Sequence, residues 1–300
     1  MPNDFNQPII DEFRANKGRM TGYFEGARLL LLTTTGARTG TPHTTPVGYL
    51  PDGDRVLVIA SAAGSDRHPD WFRNLVAHPQ VTVESGVFTY EARAVVLTGE
   101  DRDEVFARAV EADPGWAAYQ EKTERIIPVV ALHSLAQGGP GTINATSFGE
   151  AIKVVHDAFR HELALIRGEL NRGTATDADT DTDTDTDTDA DTGTGTEFST
   201  LGAQLRVNCL TFCQGLHNHH TGEDTVLFPL IAERHPGSDA ALTRLREEHE
   251  QIATLVDALR ETLTTPTDPA TTRAEVHRLT VALEAHLTYE EQELIPLFDA

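Results

Sequence analysis

Only two cysteines occur in 300 residues, and both stand on one segment, Cys209 and Cys213, four positions apart. One helical turn of separation makes a poor disulfide framework, so the fold must be held by its core, as expected of a protein of the reducing cytoplasm. The chain also lacks any apolar run near the ~18–20 residues that a membrane span needs, and no stretch near Met1 has the basic, apolar, then small order of a signal peptide. No integral membrane segment is therefore expected. Basic residues are scarce: 24 Lys and Arg face 47 Asp and Glu, for a formal net charge of −23. That balance argues against nucleic acid or an anionic membrane as the main partner.

What is present divides in two. Over residues 1–135 the pattern is short β-branched runs cut by Gly, Pro or Asp: "RLLLLTTTG", "TTPVGYL", "RVLVIASAA", "VTVES", "FTYEARAVVL" and "IPVVALH". Six such strands with two short helices ("HPDWFRNLVAHP" and "EDRDEVFARAVEAD") predict a closed or split antiparallel β-barrel. Residues 136–147, "AQGGPGTINATS", read as a Gly/Pro/Ser-rich linker. From 148 to 300 the apolar period becomes helical, with stripes at Ile152/Val155/Phe159/Leu163, Phe212/Leu216/Val226/Leu230, Leu242/Leu245/Ile252/Leu255 and Leu279/Leu283/Leu294/Leu297. Four amphipathic helices predict an up-down four-helix bundle, so the fold class is two-domain α+β. The tract 174–196 carries eight aspartates, from Asp177 to Asp191, alternating mostly with threonine. With nothing to bury, it is expected to be disordered; the glycine turn and closing glutamate of a calcium loop are missing.

The helical half writes one phrase twice. His219, Glu223 and Pro229 are repeated sixty-seven residues later as His286, Glu290 and Pro296, and a second acid follows each glutamate, Asp224 and Glu291. His156 and His249 fall on the apolar stripes of the other two helices. Each predicted helix thus turns one histidine inward, at a similar depth. Imidazoles and carboxylates in an apolar core need compensation. Four nitrogens and two carboxylates converging at one layer suit two metal ions, iron or manganese by ligand type, with zinc left open by spacing alone. His161, His217 and His220 point off the stripes, though one of them could add a fifth nitrogen.

With these residues in place, "VVHDAFRHEL", "HHTGEDTVLFP", "REEHEQI" and "HLTYEEQELIP" resemble, in order, the four helices of the hemerythrin-like HHE cation-binding family. The resemblance implies two iron ions held by His156, His219, Glu223, His249, His286 and Glu290, with Glu291 as the alternative to Glu290. It also implies binding of dioxygen, peroxide or nitric oxide, or a sensing role.

In the strand-rich half, "TTTGARTGTPHTTPVGYL" places Arg38 and Thr39 between glycines, and "ASAAGSDRHPDWFRNL" repeats a strand, a Gly turn and a helix opened by Pro69. "DPGWAAYQEKT" sets Trp116 and Tyr119 three apart, on one side of a helical turn. Across residues 20–133 these stretches resemble the deazaflavin-dependent nitroreductase family, whose members bind coenzyme F420 in a split barrel and reduce nitro or quinone-type acceptors. The resemblance implies that Arg38, Thr39 and His43 hold the coenzyme's phosphate and tail. It implies that Ile59, Ala60, Ser61, Ala62, Asp70, Trp71 and Asn74 line its ring and side chain, and that Ser61, Trp116 and Tyr119 form the reacting face. Ala37, His43 and Ala62 stand where the family more often carries a cation. The expected whole is an F420-dependent oxidoreductase barrel joined to a di-iron bundle, acting on a small redox substrate and dimerising through the barrel. The alternative is an iron-based gas or redox sensor whose barrel is inactive or binds flavin mononucleotide.

Overall fold

The computed structural model describes residues 5–135, 142–143, 145–178, 201–265 and 267–298. A short helix α1 (Asn6–Ala15), not expected from the sequence, packs Ile10 and Phe13 beside Leu31. The strands are β1 (Leu29–Thr35), β2 (Pro42–Asp52), β3 (Arg55–Ile59), β4 (Gln80–Ser85), β5 (Phe88–Val96), β6 (Val129–Ser134) and β7 (Thr142–Ile143). They pair in the order β4-β1-β2-β3-β6-β5, and a further β4–β5 ladder closes the six into an antiparallel barrel, with β7 added to β5. The expected α+β class, with a strand barrel and then helices, is what forms.

Period two decides the two faces of each strand. Val58 and Ala60 face inward with Leu30, Leu32, Val83 and Val130. Leu57 and Ile59 face outward with Val129 and Ala131. That outer patch is covered by Val105, Phe106 and Ala109 of α3 (Gly99–Ala112). Two more helices, α2 (Asp70–Ala77) and α4 (Gly115–Glu121), lie in the connections.

Part of the linker expected at 136–147 is strand: β7 pairs with Phe88 and Thr89. Residues 136–141 and 144 lie outside the described residues. So do 179–196 of the tract expected to be disordered, while its first five residues, 174–178, continue helix α5 (Phe148–Ala178).

The remaining helices are α6 (Ala203–Gly222), α7 (Phe228–Arg234), α8 (Asp239–Thr264) and α9 (Pro269–Phe298). α5, α9, α8 and α6 pack on one another in a ring. Among the described residues, no helix is long and apolar enough to cross a membrane. Leu163, Ile166, Leu216, Ile252, Leu279 and Leu283 fill one apolar cluster, and Ile152, Phe228, Ile231, Leu242, Leu245 and Leu294 fill another. On each helix the candidate metal ligands fall between the two.

The stripe expected through Val226 and Leu230 is wrong: those side chains are 60% and 43% exposed, and Phe228 and Ile231 are buried instead. The cause is a π-turn at Glu223–Leu227, between α6 and α7. Pro229 cannot donate to the Thr225 carbonyl and its ring crowds it, so the helix widens there. One extra residue rotates everything beyond by about 100°.

The two halves meet through buried polar contacts. Arg28, at the start of β1 and only 8% exposed, bonds Glu162 at 2.6 Å and Glu169, both on α5. Gln204 of α6 donates to the Pro51 carbonyl at 2.9 Å and accepts from Arg108 at 2.9 Å.

Candidate metal centre and coenzyme face

The histidine layer forms two adjoining groups. Ligand atoms of His156, His219, Glu223 and Glu290 lie within 4.8 Å of one another, and so do those of His220, His249 and His286. Both glutamates span the groups. Glu223 lies 3.2 Å from His219 Nε2 through Oε1 and 3.5 Å from His249 Nε2 through Oε2. Glu290 Oε2 lies 3.4 Å from His156 Nε2 and 3.5 Å from His286 Nε2. All six expected metal ligands are therefore brought together, with His220 beside them.

The outer ring nitrogens are fixed by a second set of carboxylates. His156 Nδ1 pairs with Glu291 at 3.1 Å, His249 Nδ1 with Asp224 at 3.0 Å and His286 Nδ1 with Glu248 at 3.1 Å. Such pairs select the tautomer that presents Nε2 inward and raise its basicity. Glu291 thus stands behind a histidine while Glu290 points into the layer. The second acid after each glutamate has this use, since it leaves the helix about 100° from its neighbour.

His220 was set aside in the sequence because it sits off the stripe. Burial places it inside, its ring stacked 4.1 Å from His249 at 12°. The only sequence signal was the adjacent pair His219–His220, which can serve two neighbouring sites from one turn. His161 and His217 stay outside both groups.

The electrostatics ask for a cation. Among the described residues, the buried side-chain atoms lacking any hydrogen-bond partner include Nε2 of all five histidines, Glu223 Oε2 and both Glu290 oxygens. Each orphan costs about 1–3 kcal/mol, and natural cores hold few. Burial pushes the Glu223 carboxyl well above its usual range, aided by Glu290 beside it, and raises Glu290 as well. Burial and the neighbouring rings hold His219 well below its usual value, and burial with His249 lowers His286 to about 4. Neutral imidazoles are the ligand form, and a bound cation would reverse the carboxylate shifts. Nitrogen and oxygen donors without thiolate fit iron or manganese; Cys209 and Cys213 are buried in the apolar cluster instead.

At one end of the barrel lie the residues expected to meet the coenzyme. The ends of β1 and β3 and the starts of β2, β4 and β6 share that end through their antiparallel registers. The Gly36–Gly40 turn closes with Gly40 N–H on the Gly36 carbonyl at 2.8 Å and exposes Arg38 and Thr39. A Cβ at Gly36 would push against the side chains of Thr39 and His43. Exposed His43 contacts Thr41 at 3.2 Å.

Asn74 is not free to line a ring. It accepts from Ala37 N–H at 3.0 Å and donates to Thr34 at 3.1 Å, pinning the turn to α2. Trp71 lies in the barrel core, and exposed Asp70 pairs with Arg73. Ile59 and Ala60 are also core residues. Ser61 and Ala62 are half-buried in a turn where Ala62 and Ala63 take positive φ, 47° and 53°. Arg125, which sequence reading missed, braces that turn by donating to the carbonyls of Ala60 (3.1 Å), Ser61 (2.6 Å) and Ser65 (2.7 Å). Trp116 and Tyr119 of α4 pack edge to face at 6.0 Å beside it. A cavity of about 580 Å³ next to the Arg38 turn is lined by Thr34, Thr35, Pro42, His78 and Arg93, and by none of the expected coenzyme residues.

The fold is a closed strand barrel joined to a helical domain with a buried histidine–carboxylate layer. The chain belongs to the F420H(2)-dependent quinone reductase family, whose model matches residues 8–134, and carries a hemerythrin HHE cation binding domain, matched over 147–298. The F420H(2)-dependent quinone reductase Rv1261c of Mycobacterium tuberculosis is 36% identical over 124 residues, covering 40% of this chain and 83% of that protein. The solved structure of an F420-H2 dependent reductase (FDR-A) is 36% identical, covers 35% of this chain and 94% of its own, and has a TM-score of 0.33. A solved domain-swapped dimer is 33% identical, covers 42% and 92%, and has a TM-score of 0.35.

Proposed function

We propose that the protein is an F420-dependent reductase of quinone or nitro-type acceptors whose helical domain holds two iron ions and takes up dioxygen, peroxide or nitric oxide. The observation that carries it is the set of partnerless ligand atoms converging from α5, α6, α8 and α9, together with Glu223 from the π-turn between α6 and α7. His156, His219, His220, His249 and His286 would hold the two ions, with Glu223 and Glu290 lying between the two groups. Asp224, Glu248 and Glu291 keep the imidazoles turned inward. A cavity of about 270 Å³ beside His220 and His249 supports entry of a small gas molecule.

Reduced F420, when bound, supplies a hydride. In the barrel, Arg38 and Thr39 bind the coenzyme's anionic tail, while Trp116 and Tyr119 cover its ring and exclude water. Asn74 and Arg125 act through the turns they pin. Ser61 offers its hydroxyl at the same face. The barrel pairs with a second copy.

A sensor with an idle or flavin mononucleotide-binding barrel has one observation in its favour. Neither Ala37 nor Ala62 brings a charge, and Arg125 is committed to three carbonyls. Metal analysis with coenzyme titration separates the readings. Two irons per chain and quenching of F420 fluorescence support the reductase. Two irons with no F420 binding leave the sensor; one zinc and no iron refutes both.

A further inference from the structure

The contact between the halves leaves a half-open cavity of about 520 Å³ at the end of the barrel opposite Arg38, between the β2–β3 and β4–β5 hairpins and helices α5 and α6. That volume is in the range of small-molecule pockets. Its lining is chiefly apolar, with Leu29, Val87 and Phe88 from the barrel and Val155, Phe159 and Leu165 from α5. An apolar wall of this kind exposed in a cleft is surface that an occupant of matching shape would cover.

The polar groups around it are not equivalent. Arg28 is neutralised by Glu162 and Glu169, Arg55 by Asp52, and Lys17 by Glu150. Arg19 makes no ion pair among the described residues, and only its Nη2 is engaged, on the Asp157 carbonyl at 3.2 Å. Half-buried His161 also lines the space, and burial, Arg19 and Arg28 keep it uncharged. One wall leads to the metal layer, because the Phe159 ring lies 5.1 Å from His219 and 5.9 Å from Phe212.

We propose that this interdomain cavity binds an aromatic carboxylate, its ring among Val87, Phe88, Val155 and Leu165 and its carboxylate on Arg19, in contact through Phe159 with the His219 side of the metal layer. A ring covers the apolar wall, and Arg19, the one lining cation without a carboxylate partner among the described residues, selects the head group. The site needs both halves of the chain, so it exists only where they are docked. It is separate from the coenzyme face and from the opening beside His220.

The test is equilibrium binding of 2-naphthoate to the full-length protein, followed by naphthalene fluorescence, with 2-naphthylmethanol as the uncharged isostere. The expected results are saturable 1:1 binding of the carboxylate, about tenfold weaker binding of the alcohol, and about tenfold weakening of naphthoate by Arg19→Leu. Ala158→Trp, which fills the cavity from α5, should abolish binding, and Arg234→Leu, far away on α7, should not alter it. Melting and elution profiles establish that each variant is folded, and the isostere comparison needs no variant. In iron-loaded protein, naphthoate should also shift the near-ultraviolet absorption. Equal affinity for acid and alcohol, or binding indifferent to both Arg19→Leu and Ala158→Trp, overturns the proposal.

Discussion

Replacing His220 by alanine would take one of three nitrogens from the group it shares with His249 and His286. Its ring is buried and stacked on His249, and its Nε2 has no partner. Losing a carboxylate behind a ligand already lowers metal affinity about 10–100-fold, so losing a ligand should cost at least about 100-fold, or ~2.7 kcal/mol. The other group keeps His156, His219, Glu223 and Glu290 intact. After dialysis against a chelator of matched strength, the variant should retain about one metal per chain where the unmodified protein retains two. His217→Ala is the control: three residues earlier on α6 and exposed, it should lose none. Metal per chain by mass spectrometry, with chelator competition, reads both. Full retention by His220→Ala at unchanged affinity, or equal loss from His217→Ala, would refute the assignment.

Arg28→Met leaves Glu162 and Glu169, each about a quarter exposed, without their shared cation, so unfolding should become easier by about 1–3 kcal/mol, measured by denaturant melts. Arg38→Ala removes an exposed cation and should weaken F420 binding about ten- to a hundredfold in fluorescence titrations at low salt, from a charge-assisted contact of ~1.5–3 kcal/mol; unchanged affinity would move the coenzyme elsewhere. In metal-free protein His286 and Glu291 should cost stability as pH falls, against the gain from Glu223 and Glu290, whose raised carboxyls the folded state protonates first. His286 is lowered to about 4 when folded, so the unfolded chain takes up its proton first, between pH 6.5 and 4. Burial tends to raise Glu291, but hydrogen bonds from His156 and Arg160 outweigh it and hold it at about 2, so its contribution is lost from about pH 4.5 downward. A His286→Gln variant that loses as much stability as its parent between pH 6.5 and 4, or a Glu291→Gln variant that loses as much below pH 4.5, would refute the corresponding sign. Asp224→Asn should weaken metal binding about 10–100-fold without disturbing the fold, since it alters only the acceptor on His249 Nδ1.

Local pattern was enough for the strands and for most of the residues that meet in the histidine layer. Val58 and Ala60 alternate with Leu57 and Ile59, and that period has one outcome in a half-buried strand. His156, His219, His249 and His286 sit on stripes whose direction a regular helix dictates, so their convergence follows from spacing alone. Spacing failed where the helix stopped being regular. The π-turn at Pro229 moved Val226 and Leu230 to the surface, and no window of 3.6-residue period contains that shift. His220 entered the layer because its ring meets His249 of α8 and His286 of α9, a fact of packing between distant segments. The same holds for Asn74, whose amide is engaged by Thr34 and Ala37 forty and thirty-seven residues away, and for Arg125 on the Ala60–Ser65 turn. Which inward residues point at one another was written in the chain; which near-neighbours join them, and what the docked halves leave between them, depended on contacts that only the folded packing creates.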